Sequence, residues 1–263
     1  MGQEMTDNQQ NCRSIPFGSR ENNRYWWFRV TGSKYVPPVF DFLNDEEWSV
    51  MNEWYDDTEK KFPSPGECAI PPITMLFALI MGNRISRIVQ LGHYVGFSTL
   101  LMGFMLRRMQ CQNGLFSIDL DPHSTQYTSE FVKKAKLTNH IKLIVRDSAA
   151  QENPEEAISY LGGKPQLIFI DSSHQYQHTL NELELWFKEL SPGGFILMHD
   201  VSKFAASFDP TSKGGVYKAA NEWLSDKKGL GAILINSDNV NTPANELIYM
   251  DGCGLGIIQK PLN

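Results

Sequence analysis

Short apolar runs alternate with longer amphipathic segments along the chain from Arg87 onward. A buried strand reads as a continuous apolar run of roughly 4–8 residues, whereas a helix places its apolar residues three or four positions apart. The apolar runs predict seven strands, at residues 88–91, 115–119, 141–145, 167–170, 195–198, 232–236 and 255–259. Helical spacing predicts helices at residues 100–105, 129–135, 154–160, 179–189 and 216–225.

This regular alternation of strands and helices predicts an α/β fold. Helices that connect parallel strands cover both faces of the sheet that the strands form. We therefore expect a doubly wound, mainly parallel, seven-stranded sheet. In such a sheet, ligands bind at the carboxyl ends of the strands, where the winding direction reverses.

The region before the first strand has a different character. Residues 1–24 are polar and rich in Asn, Gln and Arg, which predicts a poorly ordered arm. Residues 25–82 predict a helical extension that acts as a cap, lid or oligomerisation region, and residues 83–263 form the main domain. The aromatic cluster at residues 25–28 either anchors the arm on the core or forms a substrate-site wall or a subunit interface.

Two helices are predicted within this extension. The first begins near Asn44, where acidic residues fill the first turn and apolar residues follow at helical spacing: Trp48, Met51, Trp54 and Tyr55. A break at residues 63–66 separates it from a second, apolar helix at residues 73–81. Trp26, Trp27 and Trp54 would suit a flat or apolar acceptor, but they could equally belong to the core or to contacts between two chains.

Composition narrows the class of protein. The 263 residues are 41% hydrophobic and 21% charged, as in a soluble globular protein. The net charge of −6, with no basic stretch, argues against a nucleic-acid partner. The four scattered cysteines have no metal-finger spacing and predict reduced thiols. With neither a signal core nor a long apolar run, we expect a cytoplasmic protein that does not enter a membrane.

A glycine loop follows the first predicted strand, with Gly92 and Gly96 four positions apart and Tyr94 between them. The loop that binds dinucleotides needs glycine where Tyr94 stands, because the backbone must approach a pyrophosphate. The spacing therefore favours a nucleoside ligand that has no pyrophosphate. Ser98, at the start of the next helix, can cap that helix or hold a carboxylate.

The next two strands deliver polar residues to the same edge. Asp119 ends the second strand, where a carboxylate is placed to accept the two hydroxyls of a ribose. Asp121 precedes a proline and is better explained as a turn or cap residue. Asp147 and Ser148 follow the third strand, where they either receive an adenine ring or cap a helix.

The fourth and fifth strands end in donors suited to a metal. Asp171 and His174 follow the fourth strand, and His199 and Asp200 follow the fifth. Carboxylates that are brought into one crevice repel each other unless a cation or a proton lies between them. The donors therefore predict a divalent-metal site formed by Asp171, His199 and Asp200.

With these residues in place, the chain from residue 73 to 260 resembles the class I S-adenosylmethionine-dependent methyltransferases. It looks most like their divalent-metal O-methyltransferases. The stretch 88–98 is similar to the first motif of the catechol-type enzymes. Residues 171–174 and the pair 199–200 look more like the macrolide-sugar and cephamycin-type enzymes, as do the helix at 215–220 and the strand at 254–258.

The resemblance implies a Rossmann-like methyltransferase fold and a role for each matching residue. Eight residues would contact S-adenosylmethionine: Gly92, Tyr94, Gly96, Ser98, Asp119, Asp147, Ser148 and Asp171. Asp171 would also ligate the metal with Asp200 and His199, and His174 would be the general base. Two positions depart from the pattern: Gln90 stands where the family usually has an acid, and His199 stands where the macrolide-type enzymes have a carboxylate.

These expectations combine into one function. We expect O-methylation of a hydroxyl on a small molecule, in natural-product biosynthesis, with S-adenosylmethionine as methyl donor. Mg²⁺ is the first choice of cation, and the histidine ligand makes Mn²⁺ or Fe²⁺ more plausible than an all-oxygen site would. Pairing of chains into a homo-oligomer is expected by analogy alone.

Three other functions remain open from the sequence. An NAD-dependent oxidoreductase would use a similar sheet, but the glycine spacing argues against it. A methyltransferase-like subunit could bind cofactor or a partner without catalysing transfer. An iron or manganese enzyme of the same fold could perform C-methylation or other chemistry with the two Asp and two His donors.

Overall fold

The computed structural model describes residues 36–62, 66–227 and 229–263. Its centre is a seven-stranded sheet of order β3-β2-β1-β4-β5-β7-β6. The strands are β1 Ile88–Leu91, β2 Leu115–Asp119, β3 Ile141–Val145, β4 Leu167–Ile170, β5 Phe195–His199, β6 Gly231–Ile235 and β7 Leu255–Gln259. Strands β1 to β5 pair in parallel, and β7 runs antiparallel between β5 and β6.

Helices cover both faces of this sheet. They are α1 Pro38–Asp41, α2 Asp45–Lys61, α3 Ile70–Asn83, α4 Phe97–Arg108, α5 Pro122–Lys134, α6 Asn153–Leu161, α7 Tyr176–Glu189 and α8 Gly215–Asp226. Short 3₁₀ helices lie at Ala205–Phe208 and Ala244–Glu246. The winding reverses between β1 and β4, so their carboxyl ends open the crevice in which a doubly wound sheet binds ligands.

Alternate residues of each strand point to opposite faces, which gives the molecule two apolar cores. In β1, Ile88 packs with helices α1 to α5, whereas Val89 and Leu91 pack with α6, α7 and α8. Both faces of the central strands are therefore buried, as their continuous apolar sequences predict.

The N-terminal helix α2 is part of the first core. Asn44 caps the helix by accepting from the backbone N–H of Glu47, whose carboxylate in turn accepts from the N–H of Asn44. Glu47 is buried and also accepts from the guanidinium groups of Arg107 and Arg108 on α4, at 2.6 and 3.1 Å. Trp54 is buried against α4, which identifies it as a core residue and not as a wall of a substrate site.

The predicted fold class and strands are confirmed, with small changes at the ends: β5 includes His199, and β6 lies one residue earlier than predicted. The prediction for α5 was wrong at its start. Asp121 caps this helix by accepting from two backbone N–H groups, and Pro122 occupies the first turn, so α5 begins seven positions before residue 129. The arm at 1–24, the cluster at 25–28 and most of the break at 63–66 lie outside the described residues.

No helix in the described ranges is both long and apolar enough to cross a membrane.

Candidate active site

A cavity of about 600 Å³ lies at the carboxyl edge of the sheet, over β1, β2 and β4. Nine of the eleven predicted site residues line it directly: Gly92, Tyr94, Gly96, Ser98, Asp119, Asp147, Ser148, Asp171 and His174. His199 and Asp200 do not line the cavity but contact residues that do. The topology therefore brings the sequence-predicted residues into one region.

The glycine loop packs tightly against the end of β4. Gly92 has a φ of +85°, and a Cβ built on it would lie 2.0 Å from the carbonyl oxygen of Asp171. Only glycine accommodates both this backbone conformation and this close approach. Tyr94 has a φ of 40°, which is uncommon for a residue with a side chain. The loop conformation is thus set by contact with the neighbouring strand.

Gln90 holds the base of this loop together with four hydrogen bonds. Its amide nitrogen donates to the hydroxyl of Ser98 at 2.7 Å and to the carbonyl of Gly92 at 3.1 Å. Its amide oxygen accepts from the hydroxyls of Thr99 and Ser117 at 2.8 and 3.1 Å. Gln90 is completely buried, so this amide is a structural part of the loop.

Helix α4 is not capped by a serine. Its N-cap is Gly96, with a φ of 93°, and no side chain accepts from its first N–H groups. The prediction that Ser98 caps the helix was therefore wrong, because the helix begins one residue before it. Ser98 is instead tied to Gln90 at the floor of the cavity.

Asp119 connects β2 to the glycine loop. One carboxylate oxygen accepts from the backbone N–H groups of His93 and Tyr94 at 2.9 and 2.7 Å, and the other accepts from that of Asp121. Burial lowers the pKa of His93 to about 4, and its ring lies between the hydroxyls of Ser117 and Thr125. The neutral His93 ring therefore connects the glycine loop to β2 and α5 through hydrogen bonds.

Asp147 and Ser148 are held by groups on α7 that the sequence did not reveal. Asp147 lies 2.9 Å from the ring nitrogen Nε2 of His178, and the hydroxyl of Ser148 donates to Glu182 at 2.5 Å. Glu182 is fully buried and also accepts from Ser172 at 2.8 Å. The N-cap alternative for Asp147 and Ser148 was wrong, because α6 has its N-cap at residue 152.

The charge of His178 follows from these contacts. Burial by itself lowers the pKa of His178, but the carboxylates of Glu182 and Asp147 outweigh it and raise the pKa to about 9. Its imidazolium therefore pairs with the buried carboxylate of Glu182 and the exposed carboxylate of Asp147 beside the cavity.

The predicted metal ligands lie together behind the cavity. The Nδ1 atom of His199 is 3.6 Å from a carboxylate oxygen of Asp171 and 3.3 Å from one of Asp200. Its Nε2 atom is 3.0 Å from Asp251, which the sequence did not identify. Asp200 has a φ of 64°, a left-handed conformation that is uncommon for a residue with a side chain.

The carboxylates around His199 favour a positive charge on its ring. Burial alone would lower the pKa of His199, but the negative charges of Asp200 and Asp251 raise it well above its ordinary value. Burial alone would raise the pKa of Asp200, but the charge on His199 and the hydrogen bond with His174 lower it. The same carboxylates that favour a proton on His199 would favour a divalent cation bound to its neutral ring, so the donor set fits a metal.

His174 connects this cluster to the cavity. Its Nε2 atom is 3.1 Å from a carboxylate oxygen of Asp200, and 39% of its side chain is exposed. The hydrogen bond with Asp200 raises the pKa of His174, while burial opposes the increase. Because Nε2 donates to Asp200, Nδ1 is the nitrogen that can accept a proton. The ring of Phe208, which is 38% exposed, contacts His174 with ring centres 5.5 Å apart.

Two cysteines also lie beside the cluster, although their positions far apart in the sequence gave no indication of it. The thiol of Cys68 is buried and donates to Asp171 at 2.8 Å. Burial, with the charge of Asp171, raises the pKa of this thiol. Burial also raises the pKa of Cys253 to about 12. Only the folded chain brings these thiols to Asp171 and Asp200.

Residues 89–201 match the family described as "Methyltransferase domain". Among curated proteins, the chain is 24% identical over 156 residues to the O-methyltransferase hkm8 of Aspergillus hancockii, which covers 59% of this chain and 57% of that protein. It is 27% identical over 124 residues to the uncharacterized protein R132 of Acanthamoeba polyphaga mimivirus, covering 44% and 52%. The chain thus spans little more than half the length of these relatives.

Solved structures share the fold at low sequence identity. The O-methyltransferase TomG from Streptomyces achromogenes, in complex with S-adenosylmethionine, superposes with a TM-score of 0.61 at 13% identity, over 90% of this chain and 95% of that one. The O-methyltransferase from Bacillus cereus, in complex with S-adenosylhomocysteine, gives 0.59 at 15% identity, over 84% and 94%. At these identities the likeness establishes the fold.

Proposed function

We propose that this chain is an S-adenosylmethionine-dependent O-methyltransferase that acts on a hydroxyl of a small molecule with the help of a divalent cation, and the match of residues 89–201 to a methyltransferase domain supports the proposal. One observation carries the proposal. His174 lines the cavity beside the glycine loop and hydrogen-bonds Asp200, so a proton acceptor and a cation-binding cluster adjoin the same cavity.

The glycine loop and the polar strand ends would hold the methyl donor. Gly92, Tyr94, Gly96 and Ser98 would face its methionine part, and that part supplies a methyl group on a sulfonium. Both glycines are required by close packing within the protein: a Cβ on Gly96 would lie 2.8 Å from a methyl carbon of Thr128, and one on Gly92 would meet the Asp171 carbonyl. This narrow backbone cradle supports the assignment.

The remaining cavity residues would hold the nucleoside. Asp119 keeps its carboxylate at the cavity edge while accepting from the loop N–H groups, so it is oriented before a ribose arrives. Asp147 and Ser148 would lie against the adenine, with His178 and Glu182 fixing their side chains. These contacts reduce the reorganisation that binding requires.

His174 is the proposed general base. Transferring a proton from a phenol with a pKa near 10 to an ordinary histidine is uphill by about 3.5 units, or about 5 kcal/mol. An aliphatic hydroxyl with a water-like pKa near 15.7 leaves about nine units, or about 12 kcal/mol. His174 alone therefore suits a phenol far better than an alcohol.

Asp171, His199 and Asp200 would hold the divalent cation. When bound, such a cation supplies a Lewis acid that lowers the pKa of the acceptor hydroxyl. The exposed ring of Phe208 beside His174 would give a flat acceptor an apolar surface. We also propose an acceptor from natural-product biosynthesis, and the likeness to TomG, a protein involved in tomaymycin synthesis, supports it.

The test measures donor binding and methyl transfer separately. We expect S-adenosylhomocysteine to raise the melting temperature of the protein, and a panel of catechols, phenols and alcohols to contain an acceptor whose methylation stops in chelator. His174→Gln should lower turnover by about 10²–10⁴-fold with little effect on S-adenosylhomocysteine binding. His140→Gln is the matched control, because His140 bonds the carbonyl of Cys111, away from the cavity-lining residues.

Two results would contradict the proposal. Failure of S-adenosylhomocysteine to bind would remove the assigned cofactor, and wild-type turnover in His174→Gln would remove the base. Full turnover in the presence of chelator would remove the cation while leaving the methyltransferase assignment in place.

A further inference from the structure

Two thiols and a histidine give the proposed cation site a donor set that is not made of oxygen alone. One ligand atom from each of Cys68, Asp171 and His199 lies within 4.8 Å of the others. The same holds for His199, Asp200 and Cys253. His199 belongs to both groups, so the five side chains form one continuous cluster.

We propose that Cys68 is a thiolate ligand of the cation site and that the site selects a thiophilic divalent cation, Zn²⁺ or Fe²⁺, over Mg²⁺. The inference rests on the proposed cation site at Asp171, His199 and Asp200. It adds a ligand from a part of the chain outside the strand ends and names the class of cation.

Ligand chemistry carries the selectivity. Mg²⁺ takes oxygen ligands in octahedral geometry and retains several waters, whereas thiolate and imidazole favour Zn²⁺ and Fe²⁺. Cys68 is 4% exposed and His199 is 9% exposed, so a cation beside them has little access to water. A site made of the sulfur of Cys68, the imidazole of His199 and the carboxylate of Asp171 therefore disfavours Mg²⁺ and leaves the fourth position of a tetrahedral Zn²⁺ open for a substrate oxygen.

Cys68 is the better candidate of the two cysteines. Its sulfur is 2.8 Å from a carboxylate oxygen of Asp171, and it lines the cavity, where a cation would enter. Cys253 does not line the cavity. Binding exchanges the S–H proton of Cys68 for the cation and releases the proton to water, with no oxidation or reduction.

The test uses Co²⁺ as a spectroscopic probe of sulfur ligation in the full chain. We expect Co²⁺ to give a thiolate-to-metal charge-transfer band in the near ultraviolet. Cys68→Ser should lose this band, and the matched control Cys111→Ser should keep it, because Cys111 contacts the carbonyl of Met109 away from the cluster. In chelator competition, Cys68→Ser should bind Zn²⁺ more than about 10-fold more weakly than the wild type.

Several outcomes would overturn the inference. They are a Co²⁺ spectrum without the band, a band that survives in Cys68→Ser but is lost in Cys253→Ser, and displacement of Zn²⁺ by an equal concentration of Mg²⁺. Circular dichroism and the S-adenosylhomocysteine melting shift show that each variant is folded. If Mg²⁺ binds and no band forms, only the thiolate is refuted; if no divalent cation binds, the cation part of the proposed function fails as well.

Discussion

Replacing Gln90 with glutamate would put a carboxyl group where the structure requires an amide. The amide nitrogen of Gln90 donates to Ser98 and to the carbonyl of Gly92. The Ser98 hydroxyl can rotate to donate, but the Gly92 carbonyl can only accept. An ionised glutamate would therefore place a buried negative charge about 3.1 Å from a carbonyl oxygen. Only the protonated acid can still donate there.

The size of the destabilisation follows from the free energy that it costs to keep the glutamic acid neutral. With an ordinary glutamate pKa of about 4.3, each pH unit above it costs about 1.4 kcal/mol. We expect Gln90→Glu to destabilise the free protein by about 4 kcal/mol at pH 7.5 and by about 3 kcal/mol at pH 6.5. Stability relative to the wild type should thus improve as the pH falls.

Urea unfolding at the two pH values measures this penalty directly. Gln126→Glu is the control, because residue 126 lies on the exposed face of α5 and should show no comparable loss. A penalty for Gln90→Glu below about 1 kcal/mol at pH 7.5 would refute the reasoning, because it is far less than the cost of neutralisation. A penalty equal at both pH values would show that the loop accommodates the carboxylate.

Two further predictions concern the cavity wall. Despite its burial, His178 has a pKa raised to about 9 by Glu182 and Asp147. Its charge therefore contributes about 3 kcal/mol at most to the free energy of unfolding, in full below pH 6.5, and this contribution is lost as the pH rises towards 9. In urea unfolding, His178→Gln should lack the part of the pH-dependent loss of stability that comes from this histidine. Gly92→Ala should destabilise the protein by about 3 kcal/mol or more in the same assay, because the added carbon meets the Asp171 carbonyl.

Each of these has a matched control. His123→Gln changes an exposed histidine and should keep the wild-type loss of stability between pH 6.5 and 9. Gly162→Ala has a similar φ of +69° with nothing within 4 Å of the added carbon, so it isolates backbone strain from the clash. The first prediction would be contradicted if the free energy of unfolding fell equally with pH in His178→Gln and in the wild type. The second would be contradicted if Gly92→Ala and Gly162→Ala lost the same free energy of unfolding.

The sheet could be predicted almost completely from the sequence, because its central strands are buried on both faces and read as continuous apolar runs. The same logic placed Asp119, Asp171 and Asp200 at one edge, since parallel strands deliver their carboxyl ends together. The start of α5 was missed because Asp121 and Pro122 form a cap within a polar stretch, where apolar periodicity gives no information.

The supporting side chains could not be predicted because they come from distant parts of the chain. Cys68 lies 103 residues before the aspartate that it contacts, and Glu182 lies 34 residues after the serine that it holds. Such contacts depend on how α3 and α7 pack against the sheet, which no local pattern encodes. Gln90 illustrates the same limit, because the partners of its amide become visible only in three dimensions.

The backbone contact between Gly92 and Asp171 has a consequence for how this protein could change its substrate. The glycine loop and the end of β4 touch through main-chain atoms, so their separation is set by backbone packing and not by the side chains around Phe208. If the loop holds the methyl donor as proposed, the side chains around Phe208 would be free to vary with the shape of the acceptor while the donor keeps its position. Under that proposal, the shape of the acceptor site and the position of the donor would depend on different atoms of the protein.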